Sequence, residues 1–126
     1  MMETGLTHTS TLIVKRENLA VSMGSGDLEV LATPAMTALM ENAAMLAVKD
    51  VLPDGSTTVG SQISSTHLKP TAEGKTVTAT AILTAVEGRK LTFKVSACDD
   101  TGVIGEGSHV RYIVDVDRFM SKVKRQ

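Results

Sequence analysis

Residues 33–48 read TPAMTALMENAAMLAV, and this stretch decides the fold. Apolar side chains recur every three or four positions, which is the spacing of one helix face, and further apolar residues extend that surface almost all round. A helix that is apolar on every side is stable only when it is enclosed, so the rest of the chain is predicted to wrap around it. The members of the face are Met36, Leu39, Met40, Ala43, Ala44 and Ala47.

The start of this helix is marked by Thr33 and Pro34. A threonine hydroxyl can cap the first free amides, and proline suits the first helical position, so the helix is predicted to begin at residue 34. Glu41 is the one ionisable side chain within it. A carboxylate in such surroundings needs a partner or favours its neutral form. Thr33 and Glu41 should lie about 12 Å apart along the axis, so they can border one cleft without touching.

Length and composition limit the classes of function. The 126 residues predict one domain, 1–126. With 13 Lys and Arg against 14 Asp and Glu, and 2% aromatic residues, the chain offers neither a basic groove nor a stacking platform, so no nucleic-acid partner is expected. No apolar run reaches the roughly 18 residues of a membrane span, and the N-terminus lacks the regions of a signal peptide. These features predict a cytoplasmic protein without a membrane partner.

Beyond the Pro53–Gly55 turn signal the hydrophobic period changes from 3.6 to 2. This change predicts an α+β domain in which an antiparallel sheet, led by a short strand before the helix, curves around it. Exposed strand edges would be covered if two copies joined edge to edge, so a symmetric homodimer is predicted, and further pairing into tetramers is left open. The predicted strands are 9–15, 57–69, 75–86, 89–98 and 103–114, the last four forming a meander.

Few side chains are candidates for chemistry. His67 shares strand parity with Val59 and Ile63, which are predicted to face the helix, so it could form an acid/base pair with Glu41. His109 and Arg111 share a face of the last strand, but the pattern does not say which face is inward, and an exposed salt bridge is the default for Arg111.

The remaining candidates favour structural roles. His8 is predicted to lie in a disordered leader, and Cys98 has no cationic neighbour that would make it a reactive thiol. Gly105 and Gly107 are interpreted as close-packing or bulge positions. The basic C-terminal run SKVKRQ is interpreted as a solvated end. The sequence contains no HExxH motif, paired cysteines, P-loop or GxSxG elbow.

Three separated segments together resemble one family. The runs LATPAMTALMENAA, THLKPT and GRKLTFKVSACDDTGVIGEGSHVRYIVD are similar to hotdog-fold thioesterases related to fluoroacetyl-CoA thioesterase, and the similarity extends from about residue 10 to residue 119. The resemblance implies a hotdog fold, a dimer with sites near the subunit interface, and hydrolysis of an acyl-CoA to the acid and free CoA. It implies no metal and no bound cofactor.

The resemblance also implies roles for individual residues. The family's catalytic threonine, glutamate and histidine match Thr33, Glu41 and His67, and the glycine and arginine at its acyl site match Gly60 and Arg111. The preceding segment departs from the family. Where the fluoroacetyl enzyme has bulky phenylalanines that cover the acyl group, this chain reads MGSGDLE, so the acyl group is left open.

Several mechanisms and functions fit these residues. Glu41 could activate water or attack the carbonyl itself, with His67 carrying the proton, and this assignment is preferred; alternatively Thr33 is the nucleophile and His67 its base. An acyl-CoA thioesterase is the favoured function. The alternatives are a non-catalytic module that binds acyl-CoA or another small apolar ligand and, more weakly, a hotdog hydratase.

Overall fold

The computed structural model describes residues 2–126, which form one five-stranded antiparallel sheet and three α-helices. The sheet order is β1-β3-β4-β5-β2, so β1 and β2 are the two edge strands. Among residues 2–126, no helix is both long and apolar enough to cross a membrane. The strands are β1 Thr7–Ile13, β2 Ser56–His67, β3 Thr76–Glu87, β4 Lys90–Asp99 and β5 Gly102–Asp115, and the helices are α1 Ala20–Met23, α2 Thr33–Val48 and α3 Val116–Lys124.

Helix α2 lies against the inner face of the sheet, which supplies mostly small side chains. Met36 and Met40 are fully buried, and each contributes about 1.5–3 kcal/mol of hydrophobic stabilisation. Opposite them the inner faces of β3 and β4 carry buried residues at every second position, as the period of 2 predicts. This sheet wrapped around one long helix is the hotdog arrangement that the resemblance implies. These sheet residues are Val77, Ala79, Ala81, Leu83, Leu91, Phe93, Val95 and Ala97.

Two glycines of β5 allow the close approach of neighbouring elements. A Cβ on Gly105 would lie 2.5 Å from Met36 Sδ, and one on Gly107 would lie 1.9 Å from the backbone oxygen of Ser64. Neither position has room for a side chain, so the prediction of close-packing positions at 105 and 107 is confirmed.

Three predictions about local structure are wrong. The helix begins at Thr33, with Ala32 at the N-cap and no side-chain cap, because the Thr33 hydroxyl bonds elsewhere. Residue His8 lies in β1, where it pairs with Ala81, rather than in a disordered leader. The four strands after α2 are not a continuous meander, because the chain crosses from β2 to β3 on the far side of the sheet and β2 pairs with β5.

A bulge in β2 also changes which residues face the helix. The register with β5 shifts between Gly60 and Gln62, so one extra residue inverts the alternation of side chains. Val59 therefore lies on the face opposite to Ile63 and His67, although all three share a parity in the sequence. Gly60 lies on the inner face together with His67.

We expect Gly107→Ala to lower the free energy of unfolding by about 1–3 kcal/mol, because the new methyl group would collide with the backbone of β2. Urea unfolding followed by circular dichroism measures this change. Ser108→Ala, at the exposed neighbouring position, is the matched control and should change the stability little. Equal stabilities of the two variants would contradict the close approach of β2 and β5.

Candidate active site

The first half of the site lies where α2 begins and β2 ends. Backbone bonds from Leu31 to Thr71 and from Ala32 to Asn18, each 2.8 Å, fix the start of α2, and a 2.7 Å bond from Leu68 to Ile104 fixes the end of β2. These bonds hold the first residue of the helix beside the last residue of the strand.

Thr33 and His67 meet directly at this point. Thr33 Oγ1 lies 2.8 Å from His67 Nδ1, at the edge of an open cavity of about 250 Å³. Burial lowers the pKa of His67, which favours the neutral imidazole that can accept the hydroxyl proton. The other ring nitrogen, Nε2, is buried and has no hydrogen-bond partner among residues 2–126. The cavity is lined by Ala20, Ser25, Val30, Leu31, Thr33, His67, Leu68, Lys69 and Pro70.

The helix start provides few free amides. The amides of Ala35 and Met36 both bond to the carbonyl of Ala32, and Pro34 has no amide hydrogen. The first turn therefore has few amides that could polarise a substrate oxygen. In the first turn, only the Thr33 amide is left for that role.

The second half of the site surrounds Gly60. A Cβ built on Gly60 would lie 3.2 Å from Glu41 Oε2, 3.2 Å from His109 Cε1 and 3.3 Å from Arg111 Nη1. We call this space the Gly60 niche. It exists because glycine has no side chain there, and it brings Glu41 and Arg111 together on the inner side of the sheet.

Arg111 and His109 are buried, with exposed fractions of 7% and 1%. The prediction of an exposed salt bridge for Arg111 is wrong, because the strand directs this side chain towards the helix. Arg111 Nε donates to Thr58 Oγ1 at 2.8 Å and Nη2 donates to the Thr58 carbonyl at 2.9 Å. Burial lowers the pKa of Arg111 and, together with the nearby Arg111 cation, that of His109. The sequence offered no signal for the inward direction of His109 beyond its shared parity with Arg111.

Within one chain the two halves are well separated. Along β5, Gly60 pairs with Arg111 and His67 pairs with Gly105, six residues apart, which corresponds to about 20 Å. Glu41 and His67 of the same chain therefore do not form the direct acid/base pair considered from the sequence. Across residues 2–126, no group of His, Cys, Asp and Glu side chains is arranged to hold a metal ion.

Comparisons with known proteins agree on one family. Residues 14–117 match the family described as fluoroacetyl-CoA-specific thioesterase. The fluoroacetyl-CoA thioesterase of Streptantibioticus cattleyicolor is 42% identical over 98 residues, which are 78% of this chain and 70% of that protein.

Two solved structures are also similar to this chain. A structure of the fluoroacetyl-CoA thioesterase FlK superposes with a TM-score of 0.92 at 34% identity and covers 100% of this chain and 98% of its own. A Thermus thermophilus hypothetical protein, a thioesterase superfamily member, has a TM-score of 0.91 at 24% identity, covering 99% of this chain and 93% of its own. The second comparison supports the hotdog fold alone.

We expect the stability of the folded chain to fall as the pH drops below about 6.5, the ordinary pKa of histidine. Burial lowers the pKa of His67 and of His109 in the folded chain. At a pH between the folded and the unfolded pKa of these groups, the unfolded chain therefore binds more protons than the folded chain does. The contribution of the two histidines to the free energy of unfolding is complete above their unfolded pKa and is lost as the pH falls through their folded pKa. Urea unfolding at pH 7.5 and 6.0 measures the difference, which should shrink in His67→Gln. Identical unfolding free energies would contradict the burial of both rings as neutral groups.

Proposed function

The chain belongs to the fluoroacetyl-CoA-specific thioesterase family, and from this premise we propose that it hydrolyses a small acyl-CoA thioester to the free acid and CoA. The observation that carries the proposal is the 2.8 Å contact between Thr33 Oγ1 and His67 Nδ1 at an open cavity. A hydroxyl bonded to a neutral imidazole is the arrangement used for nucleophilic acyl transfer.

In the proposed reaction Thr33 is the nucleophile and His67 its base. Thr33 Oγ1 attacks the thioester carbonyl carbon while His67 Nδ1 accepts the hydroxyl proton; the carbon–sulfur bond breaks, and the CoA thiolate leaves and takes up that proton. His67 then removes a proton from water, whose oxygen attacks the acyl carbon; the carbon–oxygen bond to Thr33 breaks, the proton passes from His67 to Thr33 Oγ1, and the acid is released. The contact between Thr33 Oγ1 and His67 Nδ1 favours this order over Glu41 as nucleophile, because the imidazole is already bonded to the hydroxyl that it would deprotonate.

His67 Nε2 has no hydrogen-bond partner in the part of the chain that the structure describes, and this supports a site made by two subunits. With Nδ1 accepting from Thr33, Nε2 carries the proton and needs an acceptor, and burial without one is costly. Glu41 of the partner subunit could supply it, in the role that a carboxylate has in a Ser-His-Asp triad. The resemblance gives Thr33, Glu41 and His67 as the catalytic group, and a two-subunit site unites them.

The sheet provides a suitable way to join the subunits. β2 is an edge strand with exposed residues at Gly60–Gln62, and an unpaired edge favours addition of another strand. If two β2 strands pair antiparallel about an axis between Ile63 and Ser64, Gly60 of the partner subunit lies opposite His67. The homodimer would therefore bring the Gly60 niche of one subunit to the Thr33–His67 pair of the other.

Arg111 is proposed to stabilise the charge that develops on the thioester oxygen. Its guanidinium is buried at the Gly60 niche, where a fixed positive charge has more effect than in water. The niche is small, because a single methyl group there would already contact three side chains. This size supports a short acyl group at Gly60 and Arg111.

A cytoplasmic location is part of the same proposal. The chain has one cysteine, Cys98, which is free and partly buried. A chain that makes no internal disulfide fits a reducing compartment.

We expect the protein to release thiol from at least one member of a panel of short and medium acyl-CoA substrates. Thr33→Val removes the hydroxyl at nearly constant shape, so kcat should fall by about 10²-fold or more, whereas Thr33→Ser should retain most of it. Thiol release measured with a chromogenic reagent gives both values. A folded wild type that is stabilised by acyl-CoA but cleaves none of the panel would instead indicate a binding module.

Mixed dimers test whether two subunits share each site. A purified heterodimer of one Thr33→Val subunit and one Glu41→Gln subunit should have about half of the wild-type activity, because one of its two sites keeps all three residues. Each parent homodimer should be nearly inactive. The control pairs Thr33→Val with the double variant Thr33→Val/Glu41→Gln and should stay inactive. An inactive test heterodimer would rule out a shared site, as would a monomer at low micromolar concentration in light scattering.

A further inference from the structure

His109 is a buried histidine with no role in the reaction described so far. It lies on the inner face of β5, its exposed fraction is 1%, and its ring packs 6.2 Å from the ring of Phe93 between centroids. Both ring nitrogens have hydrogen-bond partners. These partners determine where its proton is.

The proton of His109 is on Nδ1. This nitrogen lies 2.7 Å from the carbonyl oxygen of Gln62, and a carbonyl only accepts hydrogen bonds. Nε2 lies 3.2 Å from Arg111 Nη1, and a guanidinium only donates. Both contacts are satisfied by a neutral ring that is protonated at Nδ1 and unprotonated at Nε2. The lowered pKa of His109 agrees with this neutral form.

Arg111 is held by three acceptors, all of which are neutral. Besides His109, the hydroxyl and the carbonyl of Thr58 each accept one of its N–H groups. Because guanidinium has five N–H donors, two remain, and Nη1 borders the Gly60 niche at 3.3 Å. Among residues 2–126, no carboxylate lies within salt-bridge distance of Arg111.

The neutrality of His109 matters for this arrangement. A carboxylate at position 109 would also hold Arg111, but it would cancel the positive charge that a developing oxyanion requires. A neutral imidazole fixes the guanidinium through one hydrogen bond and adds no second negative charge to that of Glu41, which already lines the niche.

We propose that His109 is a positioning residue which, through its bare Nε2, holds Arg111 so that its free N–H groups face the acyl oxygen in the Gly60 niche. This proposal rests on the proposed thioesterase function. It assigns His109 an effect on turnover through Arg111, without contact with the substrate.

Two substitutions separate the two hydrogen bonds of the ring. His109→Gln places an amide oxygen near the position of Nε2 and keeps an acceptor for Arg111, whereas His109→Asn places an amide nitrogen near Nδ1 and keeps only the bond to Gln62. Both remove the ring from Phe93, so they serve as matched controls for packing, and their unfolding free energies show whether they are equally folded.

We expect His109→Asn to lower kcat/KM by about 10²-fold, because a misdirected guanidinium no longer meets the oxygen, and His109→Gln to lower it by less than about tenfold. In an Arg111→Ala background, His109→Asn should cause little further loss, because the two residues act as one unit. Equal losses in the Gln and Asn variants, or additive losses with Arg111→Ala, would overturn the proposal while leaving thioesterase activity itself established.

A second measurement does not depend on turnover. In ¹⁵N NMR at pH 7.5, His109 should show a protonated Nδ1 and an unprotonated Nε2. A ring protonated at Nε2 would overturn the proposal even if the protein hydrolysed none of the tested thioesters.

Discussion

The close packing of α2 on a sheet of small residues is the constraint on which the rest of the structure depends. Met36 lies in the space left open by Gly105, and five of the eight buried residues on the inner faces of β3 and β4 are alanines or valines. Larger side chains would push the helix away from the sheet. At this short separation, the start of the helix reaches the end of β2, and Glu41, two turns later, reaches Gly60 and Arg111.

The same packing divides the chemistry into two halves. Thr33 and His67 form a hydrogen-bonded pair in which Nε2 has no acceptor among residues 2–126, and the Gly60 niche holds a carboxylate and a guanidinium. Thr33 and Glu41 lie about two helical turns apart on α2, and Gly60 and His67 lie about 20 Å apart along the sheet, so one chain cannot close these halves into one site. A two-fold pairing of β2 edges would bring the Thr33–His67 pair of one subunit to the Gly60 niche of the other. Dimer formation is therefore part of the proposed catalysis.

The charge of Arg111 is the other organising feature. Burying a guanidinium is costly, yet neutral acceptors from Thr58 and His109 take up three of its N–H groups, and the carboxylate of Glu41 lines the same niche. Such an arrangement favours a transition state that develops negative charge over a ground state that does not.

The sequence by itself determined the elements that depend on local patterns. It determined the extent of α2 to within one residue, the period-2 strands and, through three family-like segments, the identities of Thr33, Glu41, His67, Gly60 and Arg111 as candidate site residues.

Only the tertiary structure decided the position of β2 beside β5, the inward direction of His109 and Arg111, and the hydrogen bond of Thr33 to His67 in place of a helix cap. The physical reason is that strand order and the bulge after Gly60 arise from hydrogen bonds between residues about 50 positions apart, whereas periodicity records only neighbours. One extra residue in a strand moves every later side chain to the opposite face of the sheet, although the alternation of residues in the sequence looks the same.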